Sequence, residues 1–270
     1  MNAKAKKTKS FSGVGTAPVV ILVCFGIALC IFKFVLGDPS NFMDGNPEGH
    51  PLPGNMLGTI YKGGVVVPVI QTLLLTVVAL SFERWFAIGK AKGKGNITRF
   101  VQNIKEALSE NNIAKARELC NKQKGSVANV VFAALTKYEE MEKTTDLTKD
   151  QKILSIQKEL EEATALELPT LEQNLPVIAT MTTLGTLMGL LGTVIGMIKS
   201  FAALANAGSP DSVALSAGIS EALVNTAFGI ATGALALISY NYFTSKIDTI
   251  TYCIDEVGFS LVQSYAANHK

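Results

Sequence analysis

Four stretches of the sequence, 17–36, 63–88, 171–201 and 213–243, are apolar for long enough to decide its fold class. A helix needs roughly 20 residues to cross a hydrocarbon core about 30 Å thick, and each stretch meets that length. Apolar residues make up 48% of the chain, high for a soluble protein, and they gather in these runs. The expectation is an all-α, polytopic membrane protein whose long transmembrane helices extend into a cytoplasmic helical bundle. The first run follows the basic flank "MNAKAKKTKS", which would also suit the start of a signal peptide. Its apolar core is long for that role, and "KFVLGDPSNF" after it offers no clear small-x-small cleavage site, so a retained helix is expected.

Orientation follows from where Lys and Arg fall. Four lysines precede the first run (Lys4, Lys6, Lys7 and Lys9), Lys62 alone lies in 37–62, fourteen basic residues lie in 89–170, and none lies in 202–212. With four spans, both termini and the central region are then cytoplasmic. The segments become a basic tail (1–16), a first helix (17–36), an outer loop (37–62), a second helix (63–88), a cytoplasmic helical region (89–170), a third helix (171–201), a short outer loop (202–212), a fourth helix (213–243) and a cytoplasmic helical tail (244–270). Lys33 and Lys199 stand near outer helix ends, where long side chains can snorkel to water. The basic residues are thus topological signals, and the net charge of +2 gives no reason to expect nucleic acid as a partner.

Several chemistries find no support. Cys24 and Cys30 fall in the first span and Cys120 and Cys253 in cytoplasmic segments, so no disulfide framework is indicated. There is no CxxC, and His50 and His269 are far apart, so neither a metal nor another cofactor is expected. "GKAKGKGN", 89–96, lacks the spacing of a phosphate loop and no strand precedes it; it reads as a flexible, basic, membrane-proximal turn. Without a nucleophile–base constellation, the chain is not expected to be an enzyme.

The loop 37–62 carries Pro39, Pro47, Pro51 and Pro53, which predicts an irregular segment. Beyond it, Ile97, Val101, Ile104 and Leu108, then Val127, Val130, Val131, Ala134, Leu135 and Tyr138, recur at helical spacing. "KTTDLTKDQ" interrupts this pattern, and a further helix starts near Lys152 with the acidic run "ELEE" on a solvated face. The tail from Ile247 to Val262 is amphipathic and prolongs the last span.

The third and fourth spans carry the polar groups. At about 100° per residue, Thr186, Gly189, Thr193 and Ser200 fall within about 40° of Thr182, with Gly185, Gly192 and Gly196 beside them. Hydroxyls of this kind also bond their own helix carbonyls, and glycines at GxxxG spacing, with Gly229 on the fourth span, serve close helix packing. On the fourth span, Asn225, Thr232 and Ser239 fall within about 40° of Glu221, while Thr226 lies about 140° away. A charge in mid-membrane costs at least about 2.5 kcal/mol and faces a bundle interior or water, so Glu221 marks an ion path; a protonated carboxyl that only joins helices is the alternative. Depths counted from residues 201 and 213 put Thr186 level with Thr226 and Thr182 level with Thr232. One such pair encloses no pore, and the small-residue faces suggest self-association with the polar stripes inward.

"MGLLGTVIGMIKSF" (188–201) and "GISEALVNTAFGI" (218–230), preceded by "SFERWFAIGKAK", resemble the signature segments of the MotA/TolQ/ExbB proton-channel family, nearest to its ExbB branch. The likeness covers about 63–259. It implies a homopentamer in the bacterial inner membrane, with a dimer of an ExbD-like single-span partner in its pore. Protons crossing on that partner would drive work passed to a TonB-like energy transducer. It makes 171–201 and 213–243 the pore-lining helices, makes 37–62 and 202–212 periplasmic, and assigns Thr193, Glu221 and Thr226 to the pore, with Thr182, Thr186, Asn225 and Thr232 on the same faces. Helix 17–36 is an addition to the family's usual three spans, expected at the ring periphery. Gly185-Thr186 stands where the family usually has Ala-Pro. A TolQ-like motor serving envelope integrity and a passive membrane scaffold remain the alternatives.

Overall fold

The computed structural model describes residues 17–47, 49–206 and 212–269. The basic tail 1–16 and most of the second outer loop, 207–211, lie outside them. Helices dominate and no strand occurs among the described residues, so the all-α expectation holds. Four helical stretches are long and apolar enough to cross a membrane: Ala17–Leu36, Val66–Ala91, Lys149–Ala202 and Ala214–Asn268.

The helices are α1 (Ala17–Cys30, continuing as a π-helical turn, Ile31–Leu36), α2 (Met56–Tyr61), α3 (Val66–Ala91), α4 (Ile97–Ser109), α5 (Ile113–Gln123), α6 (Ser126–Lys143), α7 (Lys149–Glu172), α8 (Leu175–Asn206) and α9 (Ser212–Asn268). The chain divides into two compact units. One holds the residues up to Ser81 with Asn174–Tyr240, the other Phe82–Gln173 with the residues from Asn241 on.

The first unit has a core of Ala17, Val77, Leu80, Ile178, Met181 and Ala236, which ties α1, α3, α8 and α9 together. Helix α1 buries only a narrow stripe of small residues, Ala17, Cys24 and Ala28, and leaves Val19, Leu22 and Val23 exposed. That is how a helix facing lipid tails is built, because burial against other helices then relies on small side chains.

The loop 37–62 is more ordered than its prolines predict. Asn41 is buried and donates to the carbonyls of Val35 and Leu36 at 2.8 and 3.2 Å, and its side-chain oxygen accepts from Asn55 Nδ2 at 3.0 Å. Asn55 in turn accepts from the N–H groups of Leu57 and Gly58 and starts α2. Tyr61 stacks on Phe32 at 4.7 Å and meets Phe42 edge-on. Side-chain amides here do what regular backbone pairing cannot do around proline. Gly63 and Gly64 then end the loop, Gly64 at φ +73°, and α3 begins only at Val66.

In the second unit, the predicted apolar faces are the buried ones: Val101, Ile104 and Leu108 on α4, and Val127, Val130, Val131, Ala134, Leu135 and Tyr138 on α6. Tyr138 packs edge-on against the fully buried Tyr265 of α9, at 4.7 Å between ring centres. Helix α5, whose mixed sequence gives a weak apolar stripe, is set off by Asn111 at φ +53° and by the Asn112 cap, which accepts from Lys115 N at 2.9 Å. Helix α7 starts at Lys149 rather than near Lys152, because Thr148 and Gln151 form a capping box. Glu161 and Glu162 of "ELEE" are exposed. The turn at 89–96 is tied down, with Lys94 N donating to Gln123 O and Gln123 Nε2 to Lys92 O at 2.9 Å.

Helix α7 does not run on into α8: Gln173 and Asn174 separate them, Asn174 at φ +65°. Arg84, 1% exposed, donates from Nη1 to the carbonyls of Thr170 and Leu171 at 3.2 and 3.1 Å and pairs with Glu83. The guanidinium thus satisfies carbonyls that a helix C-terminus leaves without partners.

Candidate functional site at the α8–α9 pair

Helices α8 and α9 meet backbone to backbone within the first unit. A Cβ built on Gly229 would lie 2.6 Å from Gly185 O and 2.6 Å from Gly189 Cα. One on Gly185 would lie 2.9 Å from Gly233 N, and one on Gly196 would lie 2.8 Å from Gly218 O and 2.9 Å from Ala222 Cβ. Gly192 receives the side chain of Asn225, whose Nδ2 would be 2.9 Å from a Cβ there. The glycine faces of the two helices therefore interlock, the geometry that small residues at four-residue spacing permit.

The hydroxyls divide by partner. Thr193 and Thr226 hydrogen-bond to each other across the interface, and both also reach the carbonyl of Gly189, at 3.3 and 3.4 Å. Thr226 therefore meets Thr193, not Thr186 as depth counting predicts. Thr186 packs its methyl against Gly233 and donates to Thr183 O at 2.9 Å, and Thr232 lies beside Gly185 while donating to Phe228 O at 2.8 Å. The pairing is displaced along α8 by one turn at Thr232 and by about two at Thr226. The cause is that α8 continues to Asn206, so counting from residue 201 starts too early. Thr182 turns its carbonyl toward Gly233, and its hydroxyl is buried without a partner.

Glu221 and Asn225 point to the start of α3. Glu221 is 8% exposed; its Oε1 accepts from Lys199 Nζ at 2.7 Å and would touch a Cβ on Gly64 at the same distance. Asn225, fully buried, donates from Nδ2 to Gly63 O at 2.9 Å. Sequence angles put Glu221 and Asn225 on one face, which the structure bears out, and explain why Thr226 stands apart: it faces α8 instead. Reading Lys199 as a snorkelling residue missed its partner. The signal was available, because Lys199 is the only charge in 175–206 and Glu221 the only one in 212–240. Ser200, fully buried below them, donates to Gly196 O at 3.0 Å and reaches Leu215 O at 3.3 Å.

Chemically, the site offers one carboxylate held by one ammonium, a buried amide and a pair of linked hydroxyls, in a setting that is otherwise apolar. Such groups can relay a proton or bias its path, and they contain no nucleophile activated by a neighbouring base.

Comparison with known sequences agrees with this chemistry. The profile of the MotA/TolQ/ExbB proton channel family matches residues 123–256. The chain is 27% identical over 194 residues to the Tol-Pal system protein TolQ of Pseudomonas aeruginosa, covering 67% of this chain and 81% of that one. It is 28% identical over 185 residues to a putative ExbB-like biopolymer transport protein of Synechocystis, covering 68% and 82%. It is 26% identical over 196 residues to the biopolymer transport protein ExbB of Pseudomonas putida, covering 70% and 56%. With its four membrane-length helices and these relatives, this is a membrane protein that belongs to the MotA/TolQ/ExbB proton channel family.

Proposed function

We propose that the chain is the channel-forming subunit of a proton-driven motor in a bacterial inner membrane, ExbB-like in energising transport across the outer membrane. It forms a homopentamer with α8 and α9 toward the centre, both termini in the cytoplasm, the loops 37–62 and 202–212 in the periplasm and α1 at the periphery. A dimer of an ExbD-like single-span protein fills the pore, and a TonB-like transducer receives the work. Thr193, Glu221 and Thr226, with Thr182, Thr186, Asn225 and Thr232, set the polarity of the path, while Gly185, Gly189, Gly192, Gly196 and Gly229 hold the helix pair. The observation that carries this reading is the polar cluster of Glu221, Lys199 and Asn225 beside the Thr193–Thr226 pair, within helices that otherwise bury apolar groups. Each proton crossing releases about 2.3 kcal/mol per 100 mV, so several coupled crossings bias a conformational step without a nucleotide.

The test is partner-dependent proton flux in liposomes, with assembly measured separately. Thr193→Val, which keeps shape but loses the hydroxyl, lowers flux and leaves assembly intact. Glu221→Gln is tolerated better than Glu221→Ala, as befits a supporting residue; an obligatory proton carrier would lose flux equally in both. Flux at the wild-type level in all three variants overturns the assignment. A TolQ-like role is the second reading, favoured by the match to TolQ of Pseudomonas aeruginosa. Identification of the single-span protein that co-purifies with the chain separates the two.

A further inference from the structure

Lys199 comes from α8, Glu221 from α9, and both press on the Gly63–Gly64 turn that precedes α3. The carboxylate oxygen occupies the space a Gly64 side chain would need, and Lys199 Nζ would lie 3.4 Å from the same Cβ. Asn225 holds the neighbouring carbonyl, Gly63 O, at 2.9 Å. Among the described residues of α8, α9 and the Gly63–Gly64 turn there is no other charged side chain near the pair, and the preceding Lys62 has its ammonium over the Phe42 ring at 5.8 Å. Half of the Lys199 side chain is exposed while Glu221 is almost enclosed, so the pair has one wet end and one dry end. Removing one member of such a pair leaves the enclosed charge without compensation, which costs far more than an exposed pair contributes.

We propose that Lys199 is a positioning residue that holds the Glu221 carboxylate against the Gly63–Gly64 turn, so that the ion pair of α8 and α9 anchors the start of α3. While Glu221 is ionised, the ammonium, the carboxylate and the turn form one clamp. In the channel reading on which this rests, the polar groups of α8 and α9 are thereby joined to the start of a different span.

The clamp is tested on the purified full chain by hydrogen exchange of the segment containing Gly63, Gly64 and Val67, whose amides bond back to Ile60, Tyr61 and Gly64. Lys199→Met speeds exchange there several-fold, Lys199→Arg restores it, and Lys199→Met adds nothing in a Glu221→Gln background. The exchanged pair, Lys199→Glu with Glu221→Lys, recovers part of the protection. Exchange unchanged in Lys199→Met, or accelerated equally with and without Glu221, overturns the proposal. If the wild-type chain conducts no protons at all, the channel reading fails while the exchange result still decides the clamp.

Discussion

Replacing Gly229 by alanine adds one methyl group where α8 and α9 touch. The new carbon would sit 2.6 Å from Gly185 O and Gly189 Cα and 2.9 Å from Gly189 N. Ordinary carbon contacts lie near 3.5–4.0 Å, so the helices must part by about 1 Å. All three obstacles belong to backbone, and no rotamer change can clear them. Overpacking of this kind costs about 1–3 kcal/mol. Parting the helices also strains the Thr193–Thr226 hydrogen bond, whose net worth is about 0.5–1.5 kcal/mol. Alanine's better helix propensity returns about 0.5–1 kcal/mol. The balance is a loss of about 1–3 kcal/mol. Titration of the detergent-solubilised chain with sodium dodecyl sulfate, followed by far-ultraviolet circular dichroism, measures it as a lower midpoint. Gly26 of α1 is the control, because no atom comes within 4 Å of a Cβ placed there; Gly26→Ala leaves the midpoint unchanged or raises it. A Gly229→Ala chain as stable as wild type would refute the interlocked interface.

Arg84→Lys keeps the charge but loses the fork that serves Thr170 O and Leu171 O together, and the same titration should show a loss of about 1–3 kcal/mol, where an unchanged midpoint would deny Arg84 its capping role. The Cys120 thiol is pushed up to about 12 by burial, so maleimide leaves it unlabelled in the native chain from pH 7 to pH 9; brisk labelling that rises over this interval would show the thiol to be accessible and unshifted. Topology is read by cysteine labelling from outside the cell in a background without the native cysteines. Pro53→Cys, on the exposed part of the first loop, should react and Thr145→Cys, exposed between α6 and α7, should not; the reverse pattern inverts the map.

What could be read from the sequence tracks how local the governing physics is. The apolar faces of α4 and α6 follow from 3.6-residue periodicity, and every position it picks out on them except the half-exposed Ile97 is buried. Placing Glu221 and Asn225 on one face needs only helix geometry. The register of α8 against α9 is different, because it depends on where α8 stops. The stretch after Phe201, "AALAN", is less apolar than the run before it, so hydropathy ends the span there, yet Ala and Leu are good helix formers and the helix continues to Asn206. The ordered loop 37–62 was hidden for a related reason: prolines announce where regular structure fails, but not that Asn41 and Asn55 replace it with side-chain hydrogen bonds. The ion pair of Glu221 with Lys199 needed a tertiary argument, two lone opposite charges on adjacent helices, rather than a motif.

The interlocking of glycines along α8 and α9 has a mechanical consequence. Helices packed through long side chains can slide past one another by small rotamer changes, which is how shear motions are absorbed. Here the facing surfaces are main chain, and a displacement of one residue, about 1.5 Å along the axis, would drive the Cα of one glycine into the carbonyl of another. The two helices cannot act as rods that slip; within this unit they tilt or turn together as a single blade.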